Sequence, residues 1–179
     1  MKYIIASDIH GSLFYTKKLE NIIKQENCDK IILLGDIYYH GPRNPLPKDY
    51  NPMQVAKILN ELSNQLICIK GNCDAEVDEM ISEFSFCSDY ILDIQNQKIL
   101  LSHGHKIDFD RLEPDIDIFI YGHYHTGFIQ KHKDKILINP GSISLPKENT
   151  PNSYIMINNN TIYLKNLNTN QIIDRYNIY

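Results

Sequence analysis

The sequence is poor in cysteine and has no long apolar run. Its four cysteines, Cys28, Cys68, Cys73 and Cys87, form no C-x-x-C pair and no framework spacing, which excludes a disulfide-bonded secreted scaffold. We therefore expect reduced thiols and a cytoplasmic protein. No stretch approaches the length of a membrane span, and the apolar run at residues 3–6 is too short for a signal peptide. We expect no membrane partner.

Positive charge is also scarce, with 18 lysines and arginines against 22 acidic residues and a formal net charge of −4. Proteins that bind nucleic acid through its phosphates need a cluster of basic residues, and this sequence has no basic run. We expect no stable nucleic-acid complex. The 179 residues, 42% of them hydrophobic, can bury a substantial core, and we predict a single domain over residues 1–179.

The first half of the chain alternates between strands and helices. Apolar runs predict strands at residues 3–7, 31–34 and 66–69, and helical spacing predicts helices at about 13–26, 52–63 and 75–83. The second half reads mainly as strands, at about 90–94, 98–102, 117–121, 135–138, 153–158, 161–166 and 171–176. This change predicts an α/β (α+β) fold in which two mixed β-sheets pack face to face, flanked by helices.

Five apolar runs end in polar residues of the kind that bind metal ions. The motifs are Asp8-Ile9-His10, Gly35-Asp36, Gly71-Asn72-Cys73-Asp74, His103-Gly104-His105 and Gly122-His123-Tyr124-His125. Ligand sites in α/β sheets lie outside the carboxyl ends of strands. In an extended segment, residues two apart face the same side, so we expect Asp8 and His10 to point at one object. A carboxylate and an imidazole that converge in this way suit a divalent metal ion.

The candidate ligands are Asp8, His10, Asp36, Asn72, His103, His123 and His125. Seven ligands suffice for two ions if one carboxylate bridges them, and a pair of ions can clamp a phosphoryl group. Taken singly, the aspartates and the asparagine are ordinary turn residues; the four histidines in the same series favour a metal site. His105 is an alternative to His103 that the spacing leaves open.

In order and spacing, these motifs resemble those of the calcineurin-like metallophosphoesterase superfamily over residues 8–125. Residues 40–44, 71–78 and 139–147 extend the resemblance, nearly end to end, to a branch of small bacterial phosphodiesterases. The resemblance implies one metal held by Asp8, His10 and His125, a second held by Asn72, His103 and His123, and Asp36 as the bridging carboxylate. It also implies that the nucleophile is a hydroxide activated by the two metals. Manganese is our prediction for the metal, with zinc, iron or nickel as alternatives that the ligands do not exclude.

The resemblance departs from the wider superfamily at Cys73, where a histidine that assists the leaving group is usual. Cysteine is expected in the bacterial branch, so we predict catalytic roles for Cys73, beside the leaving group, and for Asp74, as its orienting partner. A proline-rich loop at residues 38–52 is long enough to be functional. In it, Arg43 and His40 are candidate substrate-binding residues, although His40 has an equally good role in tying down the loop.

We therefore predict a metal-dependent phosphodiesterase that acts on a small phosphodiester. One alternative is a phosphomonoesterase. A protein serine/threonine phosphatase is a separate alternative, which Cys73 and the small size disfavour. Another is a protein-interaction scaffold like the Vps29 branch of the superfamily, with a vestigial metal site. All seven ligand positions carry competent residues, which favours the enzyme. Exposed strand edges in the second half are compatible with a homo-oligomer.

Overall fold

The computed structural model describes residues 1–108 and 113–179, which form two β-sheets with helices against one of them. The strands in these ranges are β1 (Lys2–Ala6), β2 (Lys30–Leu33), β3 (Leu66–Ile69), β4 (Phe86–Cys87), β5 (Asp89–Ile94), β6 (Gln97–Ser102), β7 (Ile118–Tyr121), β8 (Gly127–His132), β9 (Lys135–Pro140), β10 (Ser153–Asn158), β11 (Thr161–Asn166) and β12 (Ile172–Asn177). The predicted class, two mixed sheets with flanking helices, is confirmed.

The seven-stranded sheet has the order β12-β11-β10-β1-β2-β3-β4, and the five-stranded sheet has the order β5-β6-β7-β9-β8. In the first sheet β1, β2, β3 and β4 run parallel, and in the second β6, β7 and β9 run parallel. The remaining pairs in both sheets are antiparallel. The carboxyl ends of neighbouring parallel strands therefore meet at one edge of each sheet, where the polar motifs lie.

The helices are α1 (Leu13–Glu26), α2 (Pro52–Glu61) and α3 (Glu76–Met80), with a 3₁₀ turn at Ser63–Gln65. The Ser12 hydroxyl caps α1 by accepting from the Tyr15 amide, and Asn51 caps α2 while Pro52 opens its first turn. The predicted starts of these two helices are confirmed. No helix in the described part of the chain is long and apolar enough to span a membrane.

Alternation along the strands divides most of the apolar residues between two large cores, and Phe119, Tyr121 and Leu137 form a third, smaller cluster. On β1, Ile4 and Ala6 face α1 and α2, whereas Tyr3 and Ile5 face the second sheet. The core between the sheets consists largely of isoleucine and leucine, as expected for parallel strands that are buried on both faces. This packing fixes the two sheets relative to each other and so positions the loops that follow their strands.

Two strands, β4 and β8, were missed by sequence patterning. β4 is only two residues long, and β8 is an edge strand with a mixed polar sequence, Gly-Phe-Ile-Gln-Lys-His. Residues 130–132 carry polar side chains but lie in β8, and only residues 133–134 form the turn to β9. His132 pairs with Lys135 in that hairpin.

Ile120→Ala is expected to lower the free energy of unfolding by about 2–5 kcal/mol, because Ile120 is fully buried between the sheets and its truncation leaves a cavity. Ile91→Ala is the matched control, since Ile91 lies on β5 of the same sheet with 56% of its surface exposed. Urea denaturation of both variants measures the difference. Equal losses for the two variants would contradict the assigned inter-sheet core.

Candidate metal centre

The polar motifs follow β1, β2 and β3 of the first sheet and β6 and β7 of the second. The packing of the two sheets brings these five strand ends together. Two groups of side chains converge there with the ligand atoms of each group within 4.8 Å of one another: Asp8, His10 and His125, and Asp36, His103 and His123. Each group takes ligands from both sheets.

The first cluster is almost completely buried and brings two imidazole nitrogens and a carboxylate oxygen close together. Nε2 of His10 lies 3.2 Å from Nε2 of His125, and Nε2 of His125 lies 3.2 Å from Oδ1 of Asp8. That carboxylate oxygen is buried and has no hydrogen-bond partner in the described part of the protein. A buried, unsatisfied carboxylate oxygen is costly, and a cation at this point would remove the cost.

The second cluster is less enclosed, because His123 is half-buried and Asn72, the predicted amide ligand, is exposed. Nε2 of His103 lies 3.0 Å from Oδ1 of Asn72 and 3.4 Å from Oδ1 of Asp36. The ring of His123 lies 5.2 Å from that of His103, centroid to centroid. The structure therefore brings all seven predicted ligands to one place.

Asp36 lies between the clusters. Its Oδ1 faces His103 in the second cluster, and its Oδ2 lies 3.8 Å from Nε2 of His10 in the first. The peptide N–H of Cys73 donates to Oδ1 at 2.8 Å and holds the carboxylate in this orientation. One oxygen towards each cluster is the arrangement expected of a carboxylate that bridges two ions.

Backbone carbonyls fix the orientation of three of the histidines. Nδ1 of His10 donates to the Tyr39 carbonyl at 2.7 Å, Nδ1 of His103 to the Leu34 carbonyl at 2.6 Å, and Nδ1 of His125 to the Leu145 carbonyl at 2.7 Å. A carbonyl only accepts, so Nδ1 carries a proton and Nε2 is the ring nitrogen that points into the site. This is the arrangement that metal-binding histidines commonly adopt.

The local backbone differs from the expected extended conformation. Five of the seven candidate ligands adopt left-handed conformations, namely Asp8 (φ 57°), His10 (φ 49°), Asp36 (φ 56°), His123 (φ 67°) and His125 (φ 63°). This region is unfavourable for residues with a Cβ, by about 1–2 kcal/mol each. The prediction that Asp8 and His10 converge through an extended segment is therefore wrong about the conformation, because the tight turns at the strand ends bring the side chains together.

Charge at the site also suits a cation. Burial lowers the pKa of His103, but the hydrogen bond to Asp36 and the charges of Asp8 and Asp36 outweigh it and raise the pKa to about 9. The carboxylates therefore stabilise positive charge at the position of this ring. The chemistry of the donors, carboxylate and amide oxygens with imidazole nitrogens, fits divalent transition metals.

Asp74 has a role other than the predicted one of orienting Cys73. Its carboxylate accepts from the backbone N–H groups of Asp36 and Gly71 through Oδ2, at 2.8 and 2.7 Å, and from that of Ile37 through Oδ1, at 2.8 Å. These three donors lie in the loops after β2 and β3. Asp74 therefore joins the loop that carries Asp36 to the loop that carries Asn72.

Cys73 lies at the edge of the second cluster. The Asn72 amide donates to its Sγ at 3.2 Å, and Sγ falls in a group of potential ligand atoms with His10 and Asp36. Burial and the nearby Asp36 carboxylate raise the pKa of the thiol to about 12. At neutral pH the side chain is therefore a neutral thiol and a weak donor.

An open cleft of about 730 Å³ lies directly over the ligands. Cys73 and Arg43 line it as predicted, and the exposed side chains of Tyr39 and Lys147 line it as well. Arg43 makes no ion pair with any residue in the described ranges. Sequence reasoning missed Tyr39 and Lys147, although the basic residue at the end of the 139–147 motif was a usable signal.

His40 is not brought into the cleft. Its ring packs edge-on against Tyr39 and Tyr50, with centroids 4.8 and 5.4 Å away, and its carbonyl accepts from the Asn44 amide. These contacts agree with the alternative in which His40 ties down the proline-rich loop. His105 also lies outside the two clusters, 5.2 Å from the His103 ring, so the geometry favours His103 as the ligand.

Residues of the 139–147 motif make hydrogen bonds to the loops that carry Asp8 and His123. The Ser142 hydroxyl donates to the Asp8 carbonyl at 2.7 Å, and the Ser144 hydroxyl donates to the same oxygen at 3.0 Å. The Asn139 amide donates to the Gly122 carbonyl, next to His123. These bonds give the motif a structural role beneath the loops that carry Asp8 and His123.

The fold and the donor set define a calcineurin-like metallophosphoesterase. The family model described as the calcineurin-like phosphoesterase superfamily domain matches residues 1–161. The chain belongs to this superfamily, as the motifs predicted, and its enzyme class is that of the metallophosphoesterases. Divalent metal ions are the cofactors that the family implies.

Individual relatives extend the comparison. Phosphodiesterase YfcE from Escherichia coli (strain K12) is 38% identical over 177 residues, which cover 97% of this chain and 96% of YfcE. A solved structure of YfcE, described as a phosphoesterase from E. coli, has a TM-score of 0.95 at 36% identity and full coverage of both chains. Vps29 from Entamoeba histolytica, solved in complex with Zn²⁺, has a TM-score of 0.65 at 21% identity over 99% of both chains and so shares the fold.

Proposed function

We propose that the chain is a phosphodiesterase that uses two divalent metal ions, with manganese as the working metal, on small phosphodiesters in the cytoplasm. The observation that carries the proposal is the Asp36 carboxylate, which directs one oxygen towards each of the two clusters of imidazole nitrogens. The near full-length similarity to Phosphodiesterase YfcE supports the diester as substrate class. The four free cysteines are consistent with a reducing compartment.

Two sets of residues would hold the ions. Asp8, His10 and His125 form the first set, Asn72, His103 and His123 form the second, and Asp36 belongs to both. The orphaned Oδ1 of Asp8 and the Nε2 lone pairs that Nδ1–carbonyl bonds hold inward are the features that fit such ions. When bound, the pair would neutralise phosphate charge and lower the pKa of a water molecule.

Residues that line the cleft would bind the remaining phosphate oxygens and contact the leaving group. Arg43 and Lys147 supply positive charge at the mouth, where they can pair with phosphate oxygens that the clusters leave free. Cys73 lines the cleft and contacts Asn72 of the second cluster, so we assign its side chain to contact with the departing ester oxygen. As a neutral thiol it is a weak proton donor, which suits leaving groups such as aryl alcohols that depart with little protonation.

Metal binding alone does not distinguish an enzyme from a protein-interaction scaffold, because a structure of Vps29 from E. histolytica is described as a complex with Zn²⁺. The open cleft above the clusters favours an enzyme, because Arg43 lines it and makes no ion pair with any residue in the described ranges. A site used only for protein contacts has no need of an unpaired cation next to a complete ligand set.

The test compares hydrolysis of bis(4-nitrophenyl) phosphate with that of 4-nitrophenyl phosphate. We expect a higher kcat/KM for the diester with Mn²⁺, a loss of at least about 100-fold after chelation, and recovery on return of Mn²⁺, because metal activation supplies several kcal/mol of transition-state stabilisation. Zn²⁺, Fe²⁺ and Ni²⁺ are compared in the same assay. Equal or better monoester hydrolysis would make the protein a phosphomonoesterase. Absence of any hydrolysis with two ions bound by calorimetry would favour the scaffold.

A further inference from the structure

A second cavity, of about 800 Å³, adjoins the candidate metal centre and has mostly different lining residues from the cleft. We call it the apolar pocket. Phe86 and Cys87 of β4, Leu100 of β6 and Ile107 of the loop after β6 supply its apolar wall, and Ser88 lies at its open side. Its volume lies in the range of small-molecule sites.

The apolar pocket and the cleft meet at the ligand loop after β3. Asn72 and Asp74 line both cavities. His105, whose ring lies 5.2 Å from that of His103, also lines the apolar pocket. A phosphoryl group held at the two clusters would therefore have one cavity on each side of Asn72.

The apolar residues of the wall pack on one side against hydrophobic clusters of the protein. Phe86, Leu100 and Ile107 nevertheless stay only partly buried, so each keeps some apolar surface that a ligand can cover. Exposure of apolar surface is unfavourable, and a concave apolar surface next to a polar site is characteristic of ligand binding. The rim carries lysines, such as Lys70 and Lys106, together with carboxylates, such as Asp89 and Glu113. Because both signs are present, the rim does not select a ligand by charge.

We propose that the apolar pocket binds one of the two ester groups of the substrate, and that this group is aromatic or of similar flat apolar shape. This inference rests on the proposed phosphodiesterase function and specifies its substrate class. A phosphodiester carries two organic groups on one phosphorus, and the two cavities around Asn72 give each group a place of its own. The group that departs lies in the cleft beside Cys73, and the group that stays on the phosphate lies in the apolar pocket.

The variant Ser88→Trp tests the pocket by filling it. Ser88 is exposed, lines the pocket and makes no side-chain hydrogen bond with the described residues, so a larger side chain there displaces no contact. Ser85→Trp is the matched control, because Ser85 is an exposed serine just before β4 that does not line the pocket. The substrates are bis(4-nitrophenyl) phosphate, which has two aryl groups, and methyl 4-nitrophenyl phosphate, which has the same leaving group but a small retained group.

We expect the unmodified protein to prefer the bis-aryl ester by about tenfold or more in kcat/KM, since burial of an aromatic ring gains that much or more. Ser88→Trp should remove this preference, mainly through KM, and leave the methyl ester within about twofold. Ser85→Trp should behave like the unmodified protein. A preference that persists in Ser88→Trp, or an equal loss for both diesters, would overturn the inference while leaving the phosphodiesterase function intact. Failure to hydrolyse either diester with metal bound would overturn both.

Discussion

Asp36→Asn should abolish nearly all phosphodiesterase activity, with a fall in kcat/KM of at least about 1,000-fold, and should reduce the bound metal from two ions to one. Loss of the shared negative charge removes stabilisation worth several kcal/mol, and about 1.4 kcal/mol corresponds to a tenfold change in rate. Asparagine keeps an oxygen that can accept the Cys73 N–H bond, so the loop itself should survive. Activity on bis(4-nitrophenyl) phosphate and metal content by elemental analysis give the two measurements.

Asp93→Asn is the matched control for this substitution. Asp93 is an exposed aspartate on β5, in the second sheet, and it lines neither the cleft nor the apolar pocket. We expect its activity and metal content to equal those of the unmodified protein. Asp36→Asn with two ions still bound and activity within about tenfold would contradict the bridging role, because a bridging ligand contributes to both ions.

Asp74→Asn should destabilise the protein by about 2–4 kcal/mol and lower its metal affinity by about 10–100-fold. Its carboxylate accepts three backbone N–H bonds, two at Oδ2 and one at Oδ1. Asparagine has only one acceptor oxygen, so its NH₂ group must face a backbone N–H and leave that donor unsatisfied in a buried place. Urea denaturation with chelator present measures the stability, and calorimetric titration with Mn²⁺ measures the affinity.

Asp78→Asn separates a general loss of stability from a specific effect on the metal loops. Asp78 is as buried as Asp74, but among the described residues only one of its oxygens is used, to accept the Ala75 N–H at the start of α3. An amide oxygen can take over that bond, so we expect a change of no more than about 1 kcal/mol and unaltered metal affinity. If Asp74→Asn binds Mn²⁺ as tightly as Asp78→Asn does, then Asp74 does not position the ligand loops.

Much of the fold was accessible from the sequence because buried parallel strands are nearly continuous apolar runs. Two such runs are followed by glycine and polar residues and were therefore predicted as buried strands, namely Ile31-Ile32-Leu33-Leu34 and Leu66-Ile67-Cys68-Ile69. β8 was not accessible in this way. It lies at the edge of its sheet, and its side chains are mostly half-exposed or exposed, so no apolar pattern marks it.

The candidate site was also predictable only in part. The sequence motifs indicated which residues gather there, but not the backbone conformations and contacts that hold them in place. The position of each motif after a strand predicted that the seven ligands would gather, because strand ends converge. The left-handed turns at Asp8 and His10 were not predicted, since neither residue is a glycine. The role of Asp74 was not predicted either, because its partners are backbone N–H groups, which leave no trace in a sequence. The same holds for the apolar pocket, whose wall combines β4, β6 and the loop after β6.

Each metal cluster takes ligands from both sheets, and this has a consequence for how the protein holds together. His125 follows a strand of one sheet and Asp8 a strand of the other, more than a hundred residues apart in the chain. An ion bound between them would act as a removable cross-link, comparable to a disulfide that closes a long loop. Occupancy and unfolding would then be thermodynamically linked, and we expect the free metal concentration to control resistance to denaturation as well as the fraction of active molecules.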